Sequence, residues 1–409
     1  MKLDKNTFFE NHKSDIIELE KLLTSIPAIA PEGGGDGEAL KCGALEKWLK
    51  ENGFENVQRF EAPDSRVSAG VRPSLVVTIP GSIPEEQDNG RVWVMAHLDV
   101  VPTGDITLWK TNPFECVEKD GVLYGRGVED NQQGLVSSVF AALYLLKNGI
   151  KPAHTVKLLF AADEENGSNY GIIWLINNTK LFRKSDLVLI PDGGDPQGST
   201  IEIAEKNLLW LQVHVMGKQT HGSRPDSGAN ACLAAADLTL RLHNLEKIFN
   251  KKDSLFEPDY STFQPTKRTK NVDSINIIPG EDTFCMDCRI LPCYKLSDVI
   301  EKVDEQCREV EKIHGVKIEY TCPQKSESPA TSKDAPVAKK LADAIKAVHG
   351  INPRFIGIGG GTVGAELRRE GIDAVVWSTL DDQAHQPNEY CKVENIIKDA
   401  MTLVEVFSR

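Results

Sequence analysis

The chain has 409 residues, more than one typical hydrophobic core accommodates, which predicts two domains. Its composition, 40% hydrophobic and 26% charged, is that of an ordinary globular protein. A balance of 47 basic against 60 acidic residues gives a net charge of −13, which argues against nucleic acid as a partner because phosphate binding needs a basic footprint.

No apolar stretch approaches the ~18 residues of a membrane span, so no membrane partner is expected. The opening Met1–Asn6 lacks the apolar region of a secretory leader. Nine scattered cysteines, an odd number, fit reduced thiols, and together these features predict a cytoplasmic protein. The closest cysteine cluster is Cys285, Cys288 and Cys293. Residues three apart on a strand point to opposite faces, so unrelated thiols are the better reading than a zinc site.

In chain order, amphipathic helices are predicted near Asn6–Leu23 and Leu40–Asn52, the second ending at Gly53. Strands Pro73–Ile79 and Arg91–Ala96 flank the turn-rich segment 80–90. Helix Leu135–Lys147, strand Thr155–Ala161, helix Asn169–Asn177 and strand Asp186–Ile190 follow. This alternation predicts an α/β domain with a mostly parallel sheet. From Asn207 the pattern changes to strand Leu208–Gly217, helix Asn230–Phe249, a long polar loop and strands near Val272–Ile278 and Asp282–Ile290. Helix Leu296–His314 and strand Gly315–Thr321 complete a ferredoxin-like β-α-β-β-α-β unit. The expected division is therefore a discontinuous domain, 1–206 and 323–409, with 207–322 inserted. Pro323–Pro336 reads as the return linker. Helix Val337–His349, strand Arg354–Ile358, helix Val363–Arg369, strand Ala374–Ser378 and a last helix resume the α/β pattern.

Metal-type side chains gather at the ends of the predicted strands. His97 follows Arg91–Ala96, Asp163-Glu164-Glu165 follows Thr155–Ala161, Asp192 follows Asp186–Ile190, and His385 follows Ala374–Ser378. Ligands of open α/β sheets bind outside these carboxyl ends. Asp130 opens the helix after Gly125-Arg126-Gly127. Asp99, two residues from His97 in an extended chain, shares its face and can accept the second N–H of its ring.

Each feature alone has a plainer reading. His97 with Asp99 is equally a satisfied core histidine, and Asp130 a helix N-cap. Glu164-Glu165 is equally a solvated loop, Asp192 before Gly193-Gly194 a turn, and His385 a surface histidine. Their joint appearance at one sheet edge is what these readings explain poorly. Two imidazoles and three carboxylates are too many for one tetrahedral zinc. They suit two cations about 3.5–4 Å apart that share a carboxylate and acidify a water, with a further carboxylate left free as the base. Side chains of neighbours Glu164 and Glu165 diverge, so one can bind metal while the other faces substrate.

The sequences HLDVVP (His97–Pro102), GRGVED (Gly125–Asp130), DEENGS (Asp163–Ser168), PDGG (Pro191–Gly194) and AHQPNE (Ala384–Glu389) together resemble the co-catalytic dizinc amidohydrolase family. That family includes acetylornithine deacetylase, succinyl-diaminopimelate desuccinylase, carboxypeptidase G, aminoacylase and carnosinase-like dipeptidases. The resemblance covers essentially the whole chain. It implies a zinc-hydrolase catalytic domain with an inserted lid and dimerisation domain. It also implies two Zn2+ per chain, replaceable by Co2+ or Mn2+. His97, Asp130 and Asp192 would hold one; Asp130, Glu165 and His385 would hold the other. Asp99 would orient His97, and Glu164 would be the general base. His221, in Thr220–Pro225, would stabilise the oxyanion, often in the neighbouring subunit. Asn276, Arg289, Gly361 and Thr362 would receive the carboxylate of a small substrate. A homodimer formed through the lid is expected.

Two departures from the family pattern stand out. Many relatives carry a second acid and a lysine after the bridging aspartate, where this chain has Asn131-Gln132-Gln133. Asp192 resembles the dipeptidase, tripeptidase and aminoacylase types, whereas Glu is typical of the desuccinylase type. The leading expectation is an N-acyl amino acid hydrolase, with a dipeptidase as the alternative. A catalytically inactive binding relative would have lost a ligand or Glu164, and none is lost.

Overall fold

The computed structural model describes residues 4–408. The opening Met1–Leu3, part of the segment read for leader character, lie outside the described residues. The chain folds into two compact units, one of Met1–Ile203, Thr331–Phe355 and Thr362–Arg409, the other of Ala204–Ala330 and Ile356–Gly361.

The larger unit is built on an eight-stranded sheet. Its strand order is Val57–Pro63, Val71–Ile79, Val156–Ala161, Val92–His97, Leu187–Asp195, Asp373–Thr379, Thr200–Glu205 and Arg354–Ile358. The four central strands run parallel, and Val57–Pro63 and Val71–Ile79 are added antiparallel. Every residue of Val92–His97 and Val156–Ala161 is buried, as expected for parallel strands covered on both faces. Trp93, Met95, Leu159, Val188 and Ile190 form one core with Ile172, Leu175 and Leu367 of the helices Ile172–Asn178 and Gly364–Arg369. The apolar helix Gly134–Lys147 packs against the same strands and against the C-terminal helix Val393–Ser408.

Register aligns the carboxyl ends. His97 pairs with Ala161, and Val376 with Ile190. Gly134 permits a close approach at this end: a Cβ there would lie 2.5 Å from the Pro191 carbonyl oxygen. The start of the helix can therefore sit against the strand carrying Asp192.

The smaller unit has a four-stranded antiparallel sheet in the order Thr262–Arg268, Glu281–Ile290, Asn207–Met216, Lys317–Ser326. Helices Ala231–His243 and Leu296–His314 complete the β-α-β-β-α-β order. Leu209, Leu211, Val213 and Val215 alternate onto the face that packs against Leu238, Leu242, Val299 and Val303.

Several expected elements require correction. The second strand of the smaller sheet is Thr262–Arg268, inside the segment read as a polar loop, while the Val272–Ile278 region keeps only Ile277–Ile278, paired with Thr220–His221. Thr262–Arg268 is an edge strand with five exposed residues and Pro265, tolerable only because an edge needs no second partner. Its polarity hid it. The last strand runs on to Ser326, with Lys325 opposite Leu209, so the return to the larger unit comes later than Pro323. Residues Ile356–Gly361, expected in the larger unit, join the smaller one: Gly357 N donates to the Leu255 carbonyl and Lys206 N to that of Ile358. Strands Val57–Pro63 and Thr200–Glu205 were unforeseen, and the alternating Thr-Ile-Glu-Ile of the second was a legible signal. The first helical stretch breaks at His12 into Lys5–Asn11 and Lys13–Thr24.

A buried ion pair anchors the opposite end of the central strands. Arg91 Nε and Nη2 donate to the two Asp186 oxygens at 2.8 and 2.6 Å, and the Trp93 indole and Arg183 N–H donate to the same carboxylate. Asp186→Ala would leave the buried guanidinium with only Glu85 and the Leu181 carbonyl, each at 2.9 Å, and would unpair the Trp93 indole. Unfolding in denaturant should show a loss of about 3–5 kcal/mol.

Candidate metal centre

Five side chains converge at the carboxyl edge of the parallel strands. His97 ends its strand, and Glu165 lies in the single turn Glu164–Asn166 after Val156–Ala161. Asp192 is inside Leu187–Asp195, not beyond its end as expected. His385 lies in the loop between Asp373–Thr379 and Tyr390–Lys392. Asp130 does not cap a helix. It lies in the irregular turn Val128–Gln133, has non-helical backbone angles, precedes a cis peptide bond to Asn131, and the regular helix starts at Gly134.

Asp130 is shared between two sets of side chains. Its Oδ1 lies 3.0 Å from His97 Nε2, and its Oδ2 lies 3.1 Å from His385 Nε2. His97 Nε2 is also 3.7 Å from Asp192 Oδ1, and His385 Nε2 is 3.0 Å from Glu165 Oε2. Two groups result, His97–Asp130–Asp192 and Asp130–Glu165–His385, each offering donor atoms within 4.8 Å of one another.

Backbone and buried polar groups hold these donors. His97 Nδ1 lies 3.0 Å from the Asp99 carbonyl oxygen, while the Asp99 carboxylate is 3.6 Å away. The expected carboxylate contact is therefore replaced by a main-chain one. The Asp99 carboxylate instead accepts Glu164 N–H at 3.0 Å and Glu165 N–H at 3.1 Å. Asp99 thus connects the histidine strand to the turn that carries both glutamates. Behind that turn, buried Arg72 binds Glu38, Glu38 accepts Asp163 N–H at 3.2 Å, and Arg72 Nη2 lies 3.3 Å from Asp163.

Asn131 supplies an account of the departure in this segment. Its amide donates to Asp192 Oδ1 at 2.7 Å and to the Pro191 carbonyl at 2.6 Å. A neutral donor thus aims Asp192 toward His97. Gln133 is buried and donates to Thr379 O at 2.7 Å and Asp399 Oδ2 at 3.1 Å. The Glu389 carboxylate accepts N–H groups from Gly127, Glu129 and Asp130 at 3.0–3.1 Å and binds Arg126 Nη1 at 2.6 Å. Sequence reasoning assigned no role to Arg126, Glu129, Asn131 or Glu389. All lie in or beside the quoted motifs, and that position was the only signal the sequence offered, since their partners include backbone groups.

The electrostatics are those of crowded anions. Burial pushes Asp130 upward, but hydrogen bonds from His385 and His97 outweigh it and hold the carboxyl below its usual range. The Asp130 and Glu165 contacts push His385 up to about 10. Burial, then the Asp192 charge, drives Glu164 well above the ordinary glutamate value. Glu164 shares a small pocket with His97, Asp192 and the apolar Met95, Ile190 and Val363. Glu165 Oε1 is buried with no hydrogen-bond partner.

Four of the expected substrate residues belong to the smaller unit. His221 is exposed, with Nδ1 2.7 Å from Ser223 Oγ. It stands opposite Ile277 on its short strand pair, and Gly222 N donates to Asn276 O at 2.7 Å, so His221 and Asn276 are brought together by segments distant in sequence. Arg289 is held by Asp287 at 2.7 and 3.0 Å and donates to the Gly359 carbonyl at 2.7 Å, close in sequence to Gly361. Thr362 belongs to the larger unit, where its Oγ1 accepts Gly364 N–H at 3.1 Å.

The model of peptidase family M20/M25/M40 matches residues 93–409. This chain belongs to that family. An uncharacterized metallohydrolase of Methanocaldococcus jannaschii is 39% identical over 96% of this chain and 98% of its own length. A succinyl-diaminopimelate desuccinylase of Nitratiruptor is 23% identical over 96% and 99%. The fold matches that of aminopeptidase PepT from Bacillus cereus with a TM-score of 0.77 at 19% identity, covering 97% and 98% of the two chains. The protein is an M20 metallohydrolase acting on amide or peptide bonds, in a family that includes dinuclear metal-binding peptidases.

The residues present fit a dinuclear centre. The donors are imidazole and carboxylate, the two groups share one carboxylate, and Glu165 keeps a buried oxygen that no hydrogen bond satisfies. His97→Ala and His385→Ala should each lower divalent-metal content toward one ion per chain, and Asp130→Ala should abolish tight binding. Metal analysis after dialysis against a weak chelator reads this directly.

Proposed function

We propose that this M20 enzyme hydrolyses the amide bond of a small N-acyl amino acid, with Glu164 as general base. The observation that carries the reading is the juxtaposition of Glu164 with two donor sets joined through Asp130. His97, Asp130 and Asp192 hold one cation, and Asp130, Glu165 and His385 the other. Zinc suits nitrogen and oxygen donors of this kind, with Co2+ or Mn2+ as substitutes. When bound, the pair supplies Lewis-acid polarisation of the amide carbonyl and a field that makes water easier to deprotonate.

The chain's own residues do the rest. Glu164 takes the proton of the attacking water on its carboxylate and returns it to the departing amine nitrogen. Asp99 holds the backbone of Glu164 and Glu165, so base and ligand keep their separate directions. His221 donates to the developing oxyanion. Asn276, Arg289, Gly361 and Thr362 receive the substrate carboxylate, for which a guanidinium fork is well matched. A homodimer formed through the smaller unit and a cytoplasmic setting complete the reading.

A dipeptide or tripeptide is the second substrate class. Asp192 as the remaining ligand favours it, since that choice resembles the dipeptidase and tripeptidase types. A hydrolysis screen of the metal-loaded enzyme against N-acetylornithine, N-succinyl-diaminopimelate, N-acetyl amino acids and dipeptides separates the two. The acyl substrates should turn over faster, and exclusive cleavage of peptides would reverse the preference. Glu164→Ala should retain both metals yet lose kcat by about 3–5 orders of magnitude, since it removes both proton transfers. Substantial turnover by this variant would refute the assignment of the base.

A further inference from the structure

Glu129 precedes the shared Asp130, is buried, and has no part in the chemistry above. Its Oε1 accepts the Asp381 N–H at 2.7 Å, and its Oε2 accepts the Gln383 N–H. Those two residues flank Asp382 in the loop that carries His385. Three non-glycine residues of this loop, Asp382, His385 and Asn388, have φ of +62°, +64° and +61°. Left-handed backbone is uncommon outside glycine, and although Asp, His and Asn adopt it more readily than other residues, three such positions in one loop are helped by ties to the surroundings. Asn388 has its own ties, to Lys110 N–H at 2.7 Å and the Leu108 carbonyl at 2.9 Å. At the Asp382 end, the Glu129 carboxylate holds the loop backbone, while Lys392 pairs with the Asp381 side chain at 2.7 Å.

The attachment is reciprocal. Glu389, four residues beyond His385, accepts three backbone N–H groups from Gly127, Glu129 and Asp130. Glu129, one residue before Asp130, accepts two from the His385 loop. Each ligand-bearing segment therefore grips the backbone of the other through a buried carboxylate. The two donors meet at the end of this clasp, with His385 Nε2 3.1 Å from Asp130 Oδ2.

We propose that Glu129 is a positioning residue for the Asp130–Glu165–His385 set, holding the strained loop so that His385 and Asp130 present their donors to one cation. The proposal rests on the two-cation reading of the site. Both carboxylate oxygens are used, each on a different N–H. Glutamine keeps one acceptor and turns its NH2 toward the other donor, so even this near-isosteric change breaks one side of the grip.

Cobalt(II) titration of the metal-free protein, followed by visible absorption, tests this without an activity measurement. Wild type should take up two equivalents. In Glu129→Gln one equivalent should bind as in wild type and the other about 10–100-fold more weakly, with a larger loss in Glu129→Ala. The weakened equivalent should be the one whose spectrum is lost in His385→Ala. Equal weakening of both equivalents, or a second equivalent as tight as in wild type, would overturn the proposal. Should Glu129→Ala fail to fold, Glu129→Gln, of nearly the same volume, carries the test. A wild-type protein that binds fewer than two cobalt ions would instead sink the two-cation reading itself.

Discussion

The arrangement depends on one carboxylate serving two imidazoles. Asp130 turns one oxygen to His97 at 3.0 Å and the other to His385 at 3.1 Å, so both imidazoles must reach the same carboxylate. Every other feature of the centre accommodates that requirement. The Asp130 turn is irregular because a regular helix would carry its side chain along a helical face and not into the gap. Its freed N–H groups must then find acceptors, and Glu389 provides them.

Crowding acids in this way has an electrostatic cost that the fold meets with neutral dipoles more than with cations. Asp99 is satisfied by two backbone N–H groups and Asp192 by the Asn131 amide. Arginines stand one step back, with Arg72 behind Asp163 and Arg126 behind Glu389. The donors therefore keep strong charge where cations bind. A guanidinium placed among them would neutralise the site from within and compete for the same oxygens.

Much of this was legible because metal chemistry restricts residue types. The positions of His97, Glu165, Asp192 and His385 near strand ends were readable from periodicity, and their convergence follows from parallel strands sharing a carboxyl edge, whereas Asp130 was read as opening a helix and lies in an irregular turn. What escaped was contact without a compositional mark. Asp99 was read as the partner of the His97 ring, whereas the ring reaches its carbonyl and its carboxylate serves the glutamate turn. No spacing rule distinguishes those outcomes, since both begin from the same shared strand face. Glu129 and Glu389 read as ordinary acids because their partners are backbone groups, invisible in side-chain identity. The Thr262–Arg268 strand escaped for the opposite reason. Its register is set by the neighbouring Glu281–Ile290 strand, and its own side chains carry almost no apolar pattern.

The position of Asp373–Thr379 in the sheet has a consequence for how the centre arises. This strand, late in the chain, lies between Leu187–Asp195 and Thr200–Glu205, and it delivers His385. Only the final tenth of the polypeptide contributes the donor that completes the second group, after a loop of more than one hundred residues has closed. Such closures are entropically slow, and contacts between distant segments form late. A chain truncated before this strand would keep His97, Asp130, Glu165 and Asp192 yet lack the imidazole that completes the second group, so the two groups differ in how much of the chain each needs.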